Sequence, residues 1–182
     1  MGLSIGMEPD RSAHWTYWIE FFVIPSLSLL LAGYAIATLP LYVGVSLFLL
    51  GCVSWTLLEY WIHRVALHHW PYYSDLHDVH HQHPKSYIGV STIYVLAAFV
   101  VVGFCLALIS SIAISAAILA GLKAAYGQYI FLHHTLHHSN KDEFGPYLKS
   151  LWDHHAAHHR GGDWNFGVST IYWDKVFGTL RD

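Results

Sequence analysis

Long apolar stretches alternate with polar, histidine-rich segments along this chain. The first two apolar stretches cover residues 17–39 and 41–63, and Pro40 separates them because proline cannot continue the hydrogen bonding of a helix. Each stretch is long enough to cross a hydrocarbon core of about 30 Å. The pattern therefore predicts two transmembrane helices joined by a short turn.

The next apolar stretch is too long for a single span. Residues 88–121 contain no charged side chain, and at about 1.5 Å per residue they would form a helix of roughly 50 Å. We therefore predict a helical hairpin that turns near residues 110–111, with spans over 88–109 and 111–133. Lys123 lies inside the second of these spans, so either its side chain reaches the membrane surface or the helix leaves the membrane early.

The polar remainder, residues 64–87 and 134–182, is predicted to form a helical cap on one side of the membrane. Eight of the nine lysines and arginines fall on this side in a four-span arrangement. The positive-inside rule therefore places both termini and the cap in the cytoplasm, at a bacterial inner membrane or the endoplasmic reticulum. The predicted fold is an all-α, multi-pass integral membrane protein: a single domain over 1–182 with four transmembrane helices and a cytosolic cap.

Composition agrees with a membrane protein, and charge and cysteine spacing argue against three other classes. Hydrophobic residues make up 54% of the chain and charged residues 12%. The net charge of −3 provides no basic stripe, so nucleic acid is not an expected partner. Cys52 and Cys105 lie in apolar stretches without CxxC spacing, which excludes a disulfide scaffold or zinc finger and predicts small buried hydrophobic residues.

The polar segments carry most of the 16 histidines. Seven fall within residues 59–84, and two further runs cover 133–138 and 154–159. The motif HxxHH occurs at 77–81 and again at 155–159. On a helix, residues three and four positions apart lie on neighbouring parts of one face. Because imidazole is the commonest metal ligand, these repeated spacings predict a metal site at the ends of the apolar helices.

Two further pairs of histidines extend this pattern. His133 and His137 are four residues apart and share a helix face. His63 and His68 are five apart, which separates them by about 140° on a continuous α-helix, so we expect His68 to reach inward from a fraying end just before Pro71. About ten imidazoles would then converge without a nearby cysteine, more than the four ligands of structural zinc. The Glu-x-x-His pattern of soluble di-iron proteins is absent. The sequence predicts an all-histidine centre with enough ligands for two metals and open positions for oxygen.

The motifs HRVALH, LHDVHH, HHTLHH, HHAAHH and NFGVSTIYWDKVFGTL resemble those of the fatty acid hydroxylase and sterol desaturase superfamily of membrane di-iron enzymes. The segments DEFGPYLKSLWDHHAAHH and NFGVSTIYWD most resemble the fatty acid 2-hydroxylase branch. The resemblance implies a four-helix membrane base and a cytosolic cap with a histidine-rich dinuclear metal site. The ligands it implies are His63, His68, His77, His80, His81, His133, His137, His155, His158 and His159.

The resemblance also implies an O2-dependent monooxygenase that hydroxylates a lipid acyl chain with two iron ions, for which zinc can substitute in a purified or crystallised form. No catalytic side chain beyond the metal centre is required. The expected partners are the bilayer, a membrane lipid or fatty acyl substrate, and a separate electron donor (a cytochrome b-type protein, or a ferredoxin with its reductase), because the fused heme domain of many eukaryotic members is not in this sequence.

Three other functions compete with this interpretation. A sterol or lipid desaturase, or a carotenoid hydroxylase, would use the same metal site. A non-enzymatic metal-binding or transport protein would hold its metal near the bilayer midplane, whereas these histidines lie at one membrane face. A membrane heme protein would need only one or two axial histidines.

The remaining polar residues near the motifs are predicted to support the ligands. Metal-bound imidazoles need a partner for their second ring nitrogen, and Glu59, Asp78 and Asp153 could supply carboxylates for this purpose, although Glu59 also fits a solvated helix end. Asn165 and Asp174 are expected to form turns and caps in the tail. Five further histidines are expected to surround the ligands or to form hydrogen bonds without binding the metal themselves: His69, His83, His134, His138 and His154.

Overall fold

The computed structural model describes residues 13–87 and 89–181, with side chains from residue 17 onward. Within these ranges all regular structure is helical. Four of the helices are long, and the others are shorter. A π-helical turn, Ile62–Leu67, continues the second helix. The helices are α1 (Ala13–Thr38), α2 (Leu41–Trp61), α3 (Tyr73–Gln82), α4 (Thr92–Ile109), α5 (Ile112–His138), α6 (Pro146–His159) and α7 (Tyr172–Phe177).

Three helical segments of the described chain are long and apolar enough to cross a membrane: Tyr17–Thr38, Leu41–Leu67 and Thr92–Ile109. Most of their side chains point outward, and large apolar residues such as Leu29 and Val100 are 70% exposed or more. Extended apolar surfaces of this kind are typical of helices surrounded by lipid, where all backbone groups are bonded within the helix. The chain is a membrane protein by this criterion. The second segment extends to Leu67, four residues beyond the predicted span.

Helix α5 occupies the centre of the bundle. It begins after Ser110 and Ser111, and the Ser111 hydroxyl caps it by accepting a hydrogen bond from the Ile114 amide at 3.2 Å. It packs mainly against α1 and α2 and also contacts α4. Neither position predicted for Lys123, at the membrane surface or in water, is found: the residue is 5% exposed, and its Nζ atom lies 4.0 Å from the centre of the Phe99 ring. Aromatic contact compensates part of the cost of burying the ammonium group.

Two glycines allow α2 and α5 to approach closely. A Cβ atom on Gly51 would collide with the backbone of Ile118 and Leu122, and one on Gly121 would collide with the backbone of Phe48. Small residues at helix crossings are a common packing device in membranes. Cys52 lies beside this crossing, whereas Cys105 is exposed rather than buried, so the prediction for Cys105 was wrong.

Replacing Gly51 by alanine is expected to destabilise the protein by about 1–3 kcal/mol, because the backbones of α2 and α5 must move apart to make room. The thermal unfolding midpoint of detergent-solubilised protein measures this effect. Gly44→Ala on the same helix is the matched control, since a Cβ atom there has no neighbour within 4 Å. Equal midpoints for the two variants would contradict the close crossing.

The shorter helices gather at the carboxy-terminal ends of α2 and α5. Helix α3 contacts the π-helical turn, α6 contacts α5, and α7 contacts α2. A cluster of apolar side chains fixes α6 and the carboxy-terminal tail, residues 160–181, to α5. The cluster consists of Leu132, Leu136, Leu151 and Val168. This arrangement brings the histidine-rich segments of four elements together.

Candidate metal centre

The structure brings all ten predicted ligands together in two sets of five. Within each set, one nitrogen from every ring lies within 4.8 Å of the others. Group 1 consists of His63, His68, His77, His81 and His158. Group 2 consists of His80, His133, His137, His155 and His159. Whether these rings bind metal stays a prediction, since the geometry gives only their arrangement.

The distances between ring nitrogens fit metal coordination. In group 1 the Nε2 atom of His77 lies 2.9 Å from that of His63 and 3.0 Å from that of His81. In group 2 the Nε2 atoms of His155 and His137 are 2.9 Å apart. Two nitrogens bound about 2.1 Å from one ion at angles of about 90–109° are separated by about 3.0–3.4 Å. Both groups therefore have the spacing that a single ion with imidazole ligands requires.

Burial keeps these imidazoles neutral at physiological pH. Burial, with further contributions from nearby imidazoles, lowers the pKa of His80 to about 3 and that of His159 to about 2. Burial likewise lowers the pKa of His158 to about 3, although the carbonyl of Trp164 opposes this shift. A neutral imidazole offers the lone pair that a metal needs. The unprotonated rings are thus ready to bind cations without first losing a proton.

The π-helical turn corrects the sequence-based account of His63 and His68. In a π-helix the backbone bonds join residues five apart, so these two side chains fall on the same face. Their ring centres are 5.3 Å apart. His68 therefore does not reach inward from a fraying end. The assumption of a continuous α-helix was wrong, because the extra residue per turn supplies the alignment.

The matching of residues to groups follows the helical period. On α3, His77 and His81 enter group 1 while His80 enters group 2. His80 and His81 are neighbours in sequence, and the side chains of neighbouring residues point about 100° apart around an α-helix. A helix that lies between the two groups can therefore supply ligands to both.

Comparison with known proteins identifies the family. The family model described as Fatty acid hydroxylase matches residues 48–179. That range is most of the chain and contains all ten histidines. The chain belongs to the fatty acid hydroxylase family. Members of this family are metal-dependent, in agreement with the two groups of imidazoles.

Curated members of the fatty acid hydroxylase family are clearly similar in sequence. Dihydroceramide fatty acyl 2-hydroxylase FAH2 of Arabidopsis thaliana is 36% identical over 140 residues, 71% of this chain and 58% of that protein. Fatty acid 2-hydroxylase of Homo sapiens is 37% identical over 146 residues, 74% of this chain and 39% of that protein. The chain thus spans less than two thirds of the length of these relatives.

A solved structure has the same fold. It is full-length scs7p, in which only the hydroxylase domain is visible. The TM-score is 0.82, at 24% sequence identity, and the match covers 92% of this chain and 67% of that chain. At this level of identity the likeness shows the fold alone.

Glu59 has a different role from either one expected for it. It is 3% exposed, and one carboxylate oxygen accepts hydrogen bonds from the backbone amides of Val168 and Ser169 at 2.8 Å each. The Ser169 hydroxyl donates to the other oxygen. Glu59 is thus neither a partner of a ligand imidazole nor a solvated helix end. It anchors the tail to α2 across more than one hundred residues of sequence.

Asp174 anchors the same tail from within. Its carboxylate accepts hydrogen bonds from the amides of Phe166 and Gly167 at 2.8 Å each, and from the Thr179 hydroxyl at 2.7 Å. His154 contacts it at 3.1 Å, so this histidine serves the tail rather than the metal site. The structural role predicted for Asp174 agrees with these contacts. Hydrogen bonds to the carboxylate lower the pKa of Asp174 and outweigh the effect of its burial.

The anchored tail places two backbone carbonyls against group 1. The Nδ1 atom of His63 donates to the carbonyl of Phe166 at 2.5 Å, and that of His158 donates to the carbonyl of Trp164 at 2.9 Å. A donor at Nδ1 leaves the Nε2 lone pair free for a metal and fixes the ring orientation. Sequence reasoning had assigned this task to carboxylates. Backbone carbonyls perform it instead, and no side-chain motif marks them.

Among the described residues, neither of the other two proposed carboxylates has a hydrogen bond to a ligand imidazole. Asp153 forms an exposed ion pair with Lys141 at 2.5 Å, and Asp78 is exposed. The acidic group near a ligand that sequence reasoning missed is Asp163, 3.8 Å from Nδ1 of His68, which is too long for a hydrogen bond. Of the other histidines, Nδ1 of His134 lies 2.9 Å from the Tyr17 hydroxyl.

Replacing Glu59 by glutamine is expected to lower the free energy of unfolding by about 1–3 kcal/mol, because the amide can face the two N–H donors with its single oxygen only, and its NH2 group cannot accept the bond that the Ser169 hydroxyl donates. Equilibrium unfolding in detergent measures this loss, and hydrogen exchange at Val168 and Ser169 reports the tail directly. Glu143→Gln is the control, since Glu143 is exposed. Unchanged exchange at both tail amides would contradict the anchoring role.

Proposed function

We propose that this chain is a membrane-bound, O2-dependent monooxygenase that hydroxylates the acyl chain of a lipid with two iron ions. The observation that carries the proposal is the convergence of ten imidazoles into two groups of five, at the ends of helices from an apolar bundle. The names of the relatives, dihydroceramide fatty acyl 2-hydroxylase and fatty acid 2-hydroxylase, support an acyl substrate with reaction at its second carbon.

Each group of five histidines would hold one iron ion. Imidazole suits ferrous iron as well as zinc, but zinc has no redox chemistry, so zinc found in purified protein would be a substitute. When bound, the two irons would activate O2 and supply the oxidising power that replaces an unactivated C–H bond by C–OH. The balance is O2, two electrons, two protons and the substrate giving the hydroxylated product and water.

The protein itself would bind the ions, orient the imidazoles and exclude water. Neutral imidazoles would bind the ions, and the carbonyls of Phe166 and Trp164 orient two of these imidazoles, those of His63 and His158. The Phe166 ring is 1% exposed and lies 5.2 Å from the ring centre of His68, so it excludes water from one side of group 1. No acid, base or nucleophile would be needed from the protein, because the metals would supply the oxidising chemistry.

The membrane arrangement that fits this chemistry has four spans, α1, α2, α4 and α5, with α3, α6 and α7 in a cytosolic cap of one domain. The three apolar segments and the central packing of α5 support it. Both termini and the metals would lie on the cytoplasmic side. Labelling by a membrane-impermeant maleimide tests this topology in intact cells, with single cysteines at Ser150 and Ser110 in a cysteine-free background. Only the cysteine at position 110 is expected to be labelled. Labelling of only the cysteine at position 150 would show that the topology is the opposite of the one proposed.

The substrate and the electron donor follow from the same chemistry. An acyl chain too apolar to leave the bilayer must reach the metals near the membrane surface. The two electrons would come from a separate cytochrome b-type protein, or from a ferredoxin with its reductase. Both partners would approach from the cytoplasmic side, where the shorter helices gather.

Lipid extracts from cells with and without the chain test the proposed reaction. The expected product is an acyl chain one oxygen heavier, whose fragmentation places the hydroxyl at the second carbon. Cells that express His158→Ala are the control. An acyl chain two hydrogens lighter would instead favour the alternative of a desaturase with the same site. Absence of any oxygenated product from metal-loaded protein with a competent electron donor would contradict the proposal, as would a Soret absorption band.

A further inference from the structure

We infer that the two histidine groups hold their ions unequally: group 1 retains its ion, whereas group 2 exchanges its ion and meets the ligands that enter the site. This inference rests on the proposed function, because it requires two bound ions. It concerns the surroundings of the ligands, which differ between the groups in two independent respects.

The first difference is the support of the ring nitrogens that face away from the metal. In group 1, His63 and His158 donate their Nδ1 hydrogens to backbone carbonyls of the tail. In group 2, the Nδ1 atoms of His80, His155 and His159 are buried, and none of them has a hydrogen-bond partner among the described residues. Partners of this kind fix the ring and raise its basicity, and their loss typically weakens metal binding about 10–100-fold.

The tail makes the support of group 1 rigid. The two acceptor carbonyls belong to Trp164 and Phe166, on either side of Asn165, which is fully buried. The Asn165 side chain donates to the Arg181 carbonyl at 3.0 Å and accepts from the Arg181 amide at 2.8 Å. Glu59 and Asp174 hold the residues that follow. The carbonyls are therefore fixed before any metal arrives, and the imidazoles that donate to them are fixed as well.

The second difference is access. A half-open cleft of about 470 Å³ lies beside group 2, and its walls include three of the five group 2 rings, His137, His155 and His159. No member of group 1 lines it. Cavities of about 300–1,000 Å³ are the usual size of small-molecule sites. The apolar side chains Leu136 and Trp152 line the same cleft as the metal ligands, so a molecule in it can touch group 2 directly.

These two differences act in the same direction. A ligand nitrogen leaves a metal more readily when its ring can turn, and a competing ligand replaces it more readily when it can reach the ion. Two group 1 rings are held by carbonyls of the tail and no group 1 ring lines the cleft, whereas three group 2 rings lack an Nδ1 partner among the described residues and three line the cleft. Group 2 is therefore the position at which exchange with molecules in the cleft occurs.

Metal release from the full chain in detergent tests the inference without reference to enzyme activity. The protein is loaded with Zn²⁺, separated from unbound metal and mixed with an excess of a colorimetric chelator. We expect two equivalents to appear in two phases of one equivalent each, with rates that differ about tenfold or more. Two equivalents released in one phase would overturn the inference and leave the proposed dinuclear function intact. Binding of fewer than two equivalents would overturn the proposed function itself.

Two ligand variants assign the phases to the groups. His159→Gln, in group 2, is expected to remove the fast equivalent and leave the slow one. His63→Gln, in group 1, is expected to remove the slow equivalent and leave the fast one. The reverse assignment would overturn the inference.

A variant of the cleft tests access alone, with every metal ligand retained. Ala156 lines the cleft, so Ala156→Phe is expected to slow the fast phase several-fold and leave the slow phase unchanged. Ser150→Phe is the matched control on the same helix, because Ser150 is exposed and does not line the cleft. Equal fast rates in the two variants would overturn the assignment of the cleft to group 2.

Discussion

Replacing either His158 or His80 by alanine is expected to abolish hydroxylation, although the two residues belong to different groups and lie far apart in sequence. The Nε2 atom of His158 lies 3.0 Å from that of His81, and the Nε2 atom of His80 lies 3.1 Å from that of His133. Loss of a partner outside the ligand shell already weakens metal binding about 10–100-fold. Loss of a ligand should lower product formation by at least about 100-fold, because both ions must act together.

The measurement combines the hydroxylated lipid product with the metal content of the purified variants. His83→Ala is the matched control, since His83 is exposed, directly follows α3 and belongs to neither group. It should retain both product and metal. Full metal content and full activity in His158→Ala would contradict a single centre built from both halves of the sequence.

The apolar pattern predicted much of the fold. Length and hydropathy identified the apolar stretches, and the hairpin turn near residues 110–111 agrees with the helix break at Ser110 and Ser111. The same pattern could not predict the position of Lys123. Its burial depends on Phe99, which reaches it from a neighbouring helix. Contacts between helices decide whether a charge in an apolar stretch is buried or exposed, and hydropathy along one helix contains no information about them.

Spacing along the chain predicted which histidines come together, but not how they divide. His155 and His159 enter group 2, whereas His158, on the same helix, enters group 1. The helical period makes such a division possible. Only the packing of α3 and α6 against the ends of α2 and α5 decides which ring faces which group. That packing depends on apolar contacts such as the one between Leu136 and Leu151.

Side-chain motifs could not predict the hydrogen bonds that hold the rings of group 1. Its acceptors are backbone carbonyls, which every residue carries, so residue type does not reveal them. Glu59 illustrates the same limit: its partners are the amides of Val168 and Ser169, 109 and 110 residues away. A carboxylate that binds backbone N–H groups has the same sequence signature as one that orients an imidazole. The closing motif NFGVSTIYWD was informative only through its resemblance to a family.

Inserting one alanine between Ala66 and Leu67 is expected to remove one of the two metal equivalents and to lower activity at least about 10–100-fold. The π-helical turn aligns His63 and His68 because they are five residues apart. The insertion makes them six apart, a spacing that neither an α-helix nor a π-helix places on one face. Group 1 would then lose one of its rings. Metal content and lipid product are the two measurements.

Deleting Ala66 is the control that separates alignment from mere disturbance of the helix. The deletion leaves the two histidines four apart, which an ordinary α-helix places on one face. The deleted turn should therefore become α-helical and keep both metal equivalents. If the deletion cost as much metal as the insertion, the π-helical turn would contribute more than alignment. If the insertion left metal content and activity unchanged, His63 and His68 would not act in the same group.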